Sequence, residues 1–407
     1  MSRWPLITIT LVLAQASAQM TPLPAWTPGT LEIHQISTGR GNSALFILPD
    51  GTTLLVDAGA AGDGVPETDP HPDASRTPGA WIARYLHRHL PSGTNQLDYA
   101  VITHFHPDHM GQLLPTSPPD VTGAYRLTGI TEVDASVPIR TLLDRGWPDY
   151  SYPAPVAGSM MDNYRRFVEG RKHSGLTVER FRPGSSSQIR LKQEPTKYPA
   201  FEIRNIVANG ELWTGSGEAT RHIFPALASV PQADWPNENM CSIGLRVQYG
   251  RFRYFTGGDL PGTADPGFPA WHAVEAAIAP VVGPVDVHVV NQHGSMGEES
   301  DAFLQSLRST VLIVPAWAPS HPAPDVLKRI MNSRLPPPTR YVFATDLRPS
   351  AKTVIGQRAG QLAAPPGHIV LRVDPGGERY RVFVLNNNDE TDTVMTVKGP
   401  FSASPNS

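Results

Sequence analysis

Short apolar runs separated by turn residues fill the first part of the chain, a pattern typical of β-strands. Three such runs are Leu31–Ile36, Ala44–Leu48 and Thr53–Val56. The segments between them, Thr38–Ser43 and Pro49–Gly51, contain glycine, asparagine and aspartate, which tolerate the backbone conformations of tight turns. The pattern therefore predicts a β-meander that ends at Asp57.

A helix and a buried strand are predicted next. Apolar side chains recur at helical spacing over Ala80–Leu90, which indicates an amphipathic helix. Leu97–Thr103 is a compact apolar run and predicts a buried strand that leads directly into a histidine-rich segment. We expect a further helix to begin in Met110–Leu114.

Regular patterning is weak between residues 123 and 236 and returns after them. We interpret 123–236 as an inserted, loop-rich region with a helix near Met160–Glu169, which shapes the mouth of a site. Beyond it, strands and helices alternate, which predicts an α/β sandwich. The expected strands are Ser242–Tyr249, Phe252–Thr256, Val285–Asn291, Val311–Val314 and Arg340–Ala344, and the expected helices are Trp271–Ile278, Asp301–Leu307 and Pro324–Met331.

The chain of 407 residues is interpreted as one domain between two terminal segments. Arg3, the apolar run Trp4–Leu13 and the small residues Ala16–Ala18 resemble an export signal, so we predict cleavage after Ala18 and an exported protein. A retained membrane anchor is the alternative. The domain is expected over 19–390, followed by a flexible polar tail over 391–407.

The charge balance and the cysteine count indicate neither a nucleic-acid-binding surface nor a disulfide. The formal net charge of −3 gives no broad basic surface of the kind that binds nucleic acid. Cys241 is the single cysteine of the sequence, so it forms no internal disulfide. We interpret it as a small hydrophobic residue in a strand rather than as a metal ligand.

The histidine-rich segment carries the clearest chemical signal. His104, His106, Asp108 and His109 fall within six residues directly after the strand ending at Thr103. Imidazole and carboxylate groups together suit zinc, and also manganese or iron. The alternative is a surface loop that happens to be rich in histidine, but chance seldom produces this spacing behind a buried strand.

Two later strand ends offer partners for this segment. Asp259 follows an apolar strand and two glycines that allow close backbone approach, and His293 follows another apolar strand in the sequence Asn291–Ser295. Taken alone, Asp259 could be a turn or capping residue and His293 an ordinary loop histidine. Their occurrence together with the first motif favours a metal site built from three loops.

The combination H-x-H-x-D-H, then G-D, then H-G-S resembles the metallo-β-lactamase superfamily. The finer resemblance is to the hydrolase domain of competence-type DNA-uptake proteins and related exported enzymes. It extends from about Leu31 to Asp346, apart from 123–236, and includes Thr38–Ser43, Leu54–Gly59, Asn239–Ser242, Ser320–Pro322 and Thr345–Asp346.

The resemblance implies a four-layer αββα sandwich and a hydrolase with two zinc ions per chain, or manganese or iron in their place. It implies that His104 and His106 bind the first cation, that Asp108, His109 and His293 bind the second, and that Asp259 bridges them. Asp57 would orient the histidine loop from behind. Asp108 would also orient the nucleophile, and His321 would protonate the leaving group or hold the substrate.

The chain departs from the family pattern at the third histidine of the first cation. Only His173 and His222 lie between the first motif and Asp259, and neither lies in a recognisable motif. His222 is the weakly favoured candidate for the third ligand, because it follows the more ordered stretch Glu211–Glu218. If neither histidine serves, the first cation is expected to be bound loosely, or the site works with one metal.

The substrate is expected to be a small molecule or another ester, with phosphodiesters favoured by the finer resemblance. Three alternatives remain: a β-lactamase or lactonase that attacks a carbonyl, a metal-binding protein with a decayed site, and an iron-dependent redox enzyme of the same superfamily.

Overall fold

The computed structural model describes residues 21–62, 64–332 and 334–404, which form two β-sheets packed face to face with helices on both outer faces. The described strands are β1 (Leu31–Gln35), β2 (Ala44–Ile47), β3 (Thr53–Val56), β4 (Leu97–Ile102), β5 (Ile139–Asp144), β6 (Thr177–Arg180), β7 (Phe201–Ala208), β8 (Glu211–Trp213), β9 (Thr220–His222), β10 (Gly244–Tyr249), β11 (Phe252–Thr256), β12 (Val287–Val289), β13 (Val311–Val314), β14 (Tyr341–Ala344), β15 (His368–Val373), β16 (Arg379–Leu385) and β17 (Val394–Ser402).

The described α-helices are α1 (Pro78–His89), α2 (Pro107–Met110), α3 (Ile130–Ser136), α4 (Ser159–Lys172), α5 (Val274–Val282), α6 (Asp301–Leu307), α7 (Pro324–Ile330) and α8 (Pro349–Ile355). Strands of the first sheet run in the order β17-β16-β15-β1-β2-β3-β4-β5-β6, and those of the second in the order β14-β13-β12-β11-β10-β7-β8-β9.

The apolar strands are buried on both faces because each lies between the other sheet and a helical layer. In β3, Leu54 and Val56 pack between the sheets, whereas Leu55 packs against the helices outside the first sheet. In β13, Ile313 packs between the sheets and Leu312 packs under the outer helices. Alternate side chains of a strand point to opposite faces, so a continuous apolar run satisfies both layers. The fold is thus a four-layer αββα sandwich, as predicted.

Four parallel strands in each sheet bring polar loops to one end of the sandwich. β3 to β6 are parallel neighbours, and so are β11 to β14. The carboxyl ends of adjacent parallel strands meet at the same sheet edge. The loops that follow β3, β4, β11 and β12 are therefore neighbours at one end of the sandwich.

The interpretation of 123–236 as an insertion is wrong. The range supplies α3, β5, α4 and β6 to the first sheet and its outer layer, and β7, β8 and β9 to the second sheet. Several of these strands are partly exposed and lie at or near sheet edges, such as β6 and β9. Their apolar periodicity is correspondingly weak. The helix expected near Met160–Glu169 is present as α4.

The prediction of a flexible tail over 391–407 is also wrong for most of that range. β17 pairs antiparallel with β16, with Phe383 opposite Val397, and Val394 donates its backbone N–H to Thr21. Its side chains are largely exposed or half-buried because it is an edge strand, so the sequence looks polar. The predicted export signal over residues 1–18 lies outside the described residues. Among the described residues, no helix is long and apolar enough to cross a bilayer.

Candidate metal centre

The histidine-rich segment is shaped by a single helical turn that begins inside the motif. α2 starts at Pro107, which occupies a first helical position, and ends before Gly111 at a positive φ of 106°. The expected helix start in Met110–Leu114 is therefore wrong: the helix begins earlier, because proline favours a helix start, and glycine ends it. This turn separates His104 and His106, which precede it, from Asp108 and His109.

The structure brings all six predicted ligand side chains together in two groups of potential metal donors. One group contains His104, His106 and Asp259, and the other contains Asp108, His109, Asp259 and His293. Within each group the donor atoms lie within 4.8 Å of one another. Asp259 belongs to both groups. Its Oδ2 lies closest to His104 of the first group, and its Oδ1 lies closest to His109 and His293 of the second.

The distances within the groups are those of atoms arranged around a common point. In the first group, His104 Nε2 lies 3.0 Å from His106 Nδ1 and 3.8 Å from Asp259 Oδ2. In the second group, Asp259 Oδ1 lies 3.1 Å from His109 Nε2 and 3.5 Å from His293 Nε2. Although it is buried and close to two ring nitrogens, Asp259 Oδ1 makes no hydrogen bond of acceptable geometry. A buried carboxylate oxygen without a partner is unfavourable unless a cation compensates it.

Acceptors outside the centre define which ring nitrogens face it. His109 Nδ1 lies 2.7 Å from Asp57 Oδ2, and His293 Nδ1 lies 2.9 Å from the carbonyl oxygen of Pro315. These contacts place a proton on each Nδ1, which leaves the lone pair on Nε2 in the neutral ring. The two Nε2 atoms are 3.2 Å apart, and His293 Nε2 is 3.1 Å from Asp108 Oδ2. Two ring nitrogens this close to each other and to a carboxylate need a positive charge between them, from a proton or a cation, so the arrangement fits a shared cation.

The pKa values of the ionisable groups reflect the same concentration of charge. Burial lowers the pKa of His104 well below its usual range, and His109 lowers it further. Burial opposes the charged forms of His109 and His293 too, but Asp259 and other nearby carboxylates outweigh burial and raise both pKa values. Burial would likewise raise the pKa of Asp259, but the surrounding histidines lower it well below its usual range.

Asp57 holds the histidine loop from behind, as the sequence predicts. Its carboxylate accepts hydrogen bonds from the backbone N–H and the hydroxyl of Thr103, each at 2.8 Å, in addition to its contact with His109. Asn42 donates to the same carboxylate at 2.9 Å. Because Asp57 is fully buried, it fixes both the tautomer of His109 and the path of the backbone into His104.

A second carboxylate, missed by the sequence analysis, holds the H-x-H segment. Glu238 Oε1 accepts a hydrogen bond of 2.7 Å from the backbone N–H of Phe105, which lies between the two histidines. Arg145, whose side chain is buried, binds Glu238 with two guanidinium nitrogens and lies over the Phe105 ring. The three residues are far apart in sequence and form no local motif, so no sequence signal indicated their contact.

The turn that presents His293 is supported by a buried acidic cluster that the sequence analysis also missed. Gln292 and His293 both have positive φ values, 44° and 57°. Asn291 donates its backbone N–H to Glu299 at 3.1 Å, and it donates its side-chain amide N–H to Glu275 at 2.9 Å. Burial, and the nearby Glu299, raise the pKa of Glu275 to about 8. The cluster therefore fixes the start of the turn.

His321 lies beside the second donor group and forms one wall of the centre with Trp317. Its ring stacks on His293 at a centroid distance of 5.0 Å, and its Nε2 lies 3.3 Å from Ser295 Oγ. Trp317 packs with Ala61 and Ala318 in a small apolar cluster separate from the main core. Burial, and then the nearby His293, lower the pKa of His321 to about 3. His321 is therefore neutral near pH 7.

The remaining candidates lie elsewhere. His173 caps the end of α4 and His222 ends β9; both are exposed, and neither belongs to a donor group in the described part of the chain. Cys241 is buried, and burial raises the pKa of its thiol to about 12. Cys241 therefore packs as a small apolar residue, as predicted, but it lies in the helical turn Asn239–Cys241 and not in a strand.

Comparison with known proteins agrees with this geometry over part of the chain. The family model described as "Metallo-beta-lactamase superfamily" matches residues 37–115, which include Asp57 and the whole H-x-H-x-D-H segment. No curated protein matches the chain.

Among solved structures, the chain is similar to CmlA, a diiron beta-hydroxylase from Streptomyces venezuelae, with a TM-score of 0.40 and 15% sequence identity. The match covers 78% of this chain and 53% of that protein, so the chain spans about half of its length. A likeness of this extent does not bear on the reaction or on the metal.

Proposed function

We propose that the chain is a metal-dependent hydrolase whose centre holds two divalent cations, with zinc as the first candidate and manganese or iron as the others. One observation carries the proposal: the two donor groups share Asp259, while His109 and His293 each have Nδ1 engaged outside the centre and Nε2 turned into it. Imidazole nitrogens and carboxylate oxygens in this arrangement suit such cations.

A bound pair of cations supplies Lewis acidity, which activates a water molecule and stabilises negative charge on the substrate. The protein side chains supply position. Asp108 is the most exposed carboxylate of the centre, with 16% of its side chain accessible, and its Oδ2 is held 3.1 Å from His293 Nε2. We assign it to orienting the attacking water. His321 is neutral near pH 7, so its role is to hold the substrate rather than to protonate the leaving group.

The proposed substrate is a small molecule with an ester bond, and phosphodiesters come first because of the finer sequence resemblance. Carbonyl substrates such as lactams and lactones are the alternative. Function depends on the pocket rather than on the fold, so only assay separates the two.

The test is the metal content of the purified protein together with a hydrolysis screen. Mass spectrometry of the native protein should give about two divalent cations per chain. The zinc- and manganese-loaded proteins should then be assayed with phosphodiesters, lactams, lactones and thioesters. Hydrolysis of one class supports the proposal. Bound metal without activity on any class would instead support a metal-binding protein, and an absence of bound metal would refute both.

Replacement of the shared carboxylate is the sharpest single change. Asp259→Ala should reduce metal content to at most one cation per chain and abolish hydrolysis, because both donor groups lose a ligand. Asp265→Ala is the matched control, since this aspartate lies in the same loop region but is exposed. Full activity and full metal content in Asp259→Ala would show that the bridging role is wrong.

A further inference from the structure

The two donor groups are unequal. The second group gathers four protein donors, whereas the first gathers three, and one of these, Asp259, is shared. The histidines that could have completed the first group, His173 and His222, are exposed and lie outside both groups. A fourth protein ligand for the first cation would therefore have to come from a residue other than these two histidines.

The segment Glu238–Ile243 lies against the first donor group from two directions. On one side, Glu238 Oε1 accepts from Phe105 N at 2.7 Å, and Ile243 donates its N–H to the Thr103 carbonyl at 3.0 Å. On the other side, the Ser242 hydroxyl lies 3.3 Å from the backbone nitrogen of Asp259, which donates to it. The single helical turn Asn239–Cys241 is thus held between the H-x-H segment and the shared carboxylate.

Within this turn, the side-chain oxygen of Asn239 lacks a hydrogen-bond donor among the described residues. This atom, Oδ1, is buried. Buried amide oxygens are nearly always satisfied, by the protein, by water or by an ion. The adjacent Glu238 is bound by Arg145 and Phe105, so the backbone at this point is fixed.

On this basis, and resting on the proposed function, we infer that the Asn239 side-chain oxygen is the additional ligand of the cation bound by His104 and His106. Amide oxygens bind divalent cations, and they favour harder ions such as manganese more than a third imidazole would. The first site would then consist of two nitrogen and two oxygen donors. It should bind zinc less tightly than the second site and accept manganese more readily.

The test uses the full-length protein, stripped of metal and titrated with Co²⁺, Mn²⁺ and Zn²⁺. Asn239→Ala should weaken the weaker of the two binding steps at least about tenfold and leave the tighter step unchanged. It should alter the visible absorption only of the cobalt ion that occupies the site of His104 and His106. Asn239→Asp and Asn239→His supply other donors at the same place and should restore two cations per chain. The histidine variant should shift the preference of the weaker step from manganese towards zinc.

The control is Asn237→Ser, which changes an exposed amide in the same segment but retains an acceptor for the Met240 N–H. It should match the wild type in both binding steps. If Asn239→Ala binds two cations with wild-type affinity and spectrum, the inference fails while the proposed function stands. If all three Asn239 variants lose the cation, Asn239 has a structural role and the inference also fails. If the wild type binds no second cation, the proposed function itself fails.

Discussion

His109 and His293 each give one ring nitrogen to an acceptor of the protein and keep the other for the centre. For His109 the acceptor is Asp57, and for His293 it is the Pro315 carbonyl. Without a cation, the nearby carboxylates raise the pKa of both rings and so favour a proton on each Nε2. A bound cation would take the place of that proton, because Nδ1 of each ring is already engaged outside the centre.

Glu238 allows a test of how the H-x-H segment is positioned, because it holds the backbone of that segment without being a proposed metal ligand. Glu238→Gln removes the charge opposite the buried Arg145, and loss of one partner of such a pair costs about 3 kcal/mol. We expect the free energy of unfolding to fall by about this amount, and the affinity of the first cation to fall as well, because Phe105 N loses its anionic acceptor. Urea unfolding and cobalt titration measure the two effects.

The matched control for Glu238 is a pair of the same residue types on the surface. Glu202 pairs with Arg204 at 3.0 Å, but 45% of the Glu202 side chain is exposed. Glu202→Gln should therefore change stability by less than about 1 kcal/mol and leave metal binding unchanged. Equal effects of the two substitutions would mean that the Glu238 pair does not position the H-x-H segment.

The residues of the centre were predictable because they follow compact apolar strands. His104 follows β4, Asp259 follows β11 and His293 follows β12, and each strand run is legible in the sequence. The supporting residues were not predictable in this way. Glu238 and Arg145 meet across 93 residues, and their pairing depends on how β5 and the turn before β10 pack, which no local pattern encodes.

The elements show the same division between buried and exposed positions. β3, β4 and β13 were predicted within a residue or two, because every residue in them is buried and apolar character dominates. β6, β9 and β17 escaped prediction because exposed or half-buried side chains mask their period. β15 and β16 carry apolar strand patterns, such as Ile369 to Leu371, but they lie beyond the last predicted strand, which ended at Ala344.

The turn after β12 is the element on which the second donor group depends most. Glu299 Oε1 accepts from the Asn291 N–H and lies 2.7 Å from His288 Nε2. Glu299→Gln would weaken both contacts in the buried cluster. We expect the affinity of the second cation to fall about 10- to 100-fold, with little change at the first, as measured by cobalt titration.

The neighbouring Asp301→Asn provides the control for this element. Asp301 lies in the same connection, at the start of α6, but it is exposed. It should leave both binding steps unchanged. If Glu299→Gln also leaves the second cation unaffected, then the positive-φ turn at Gln292 and His293 is held by packing alone.

For the whole molecule, the centre joins the two sheets. Asp108 and His109 follow a strand of the first sheet, whereas Asp259 and His293 follow strands of the second. The first pair is separated from the second by 150 residues of sequence (259 − 109), so the two pairs come together only in the folded chain. Cations bound there stabilise the folded state relative to the unfolded state.

Removal of metal should therefore lower the thermal stability of the whole domain. Treatment with a chelator should lower the midpoint of thermal unfolding by at least about 5 °C, and added Zn²⁺ should restore it. Asp259→Ala should already have the lower midpoint and should not respond to the chelator. Calorimetry gives both values. An identical midpoint with and without metal would show that the centre does not tie the two sheets together.

One carboxylate serving two cations makes the sites dependent on each other. If Asp259 bridges two cations as proposed, an ion bound through one of its oxygens would reduce the negative charge that the other oxygen offers to a second ion. Filling will thus proceed in order rather than at random. The concentration of available metal around the protein would then decide whether it carries one ion or two, and the half-filled form would be a distinct species with its own chemistry.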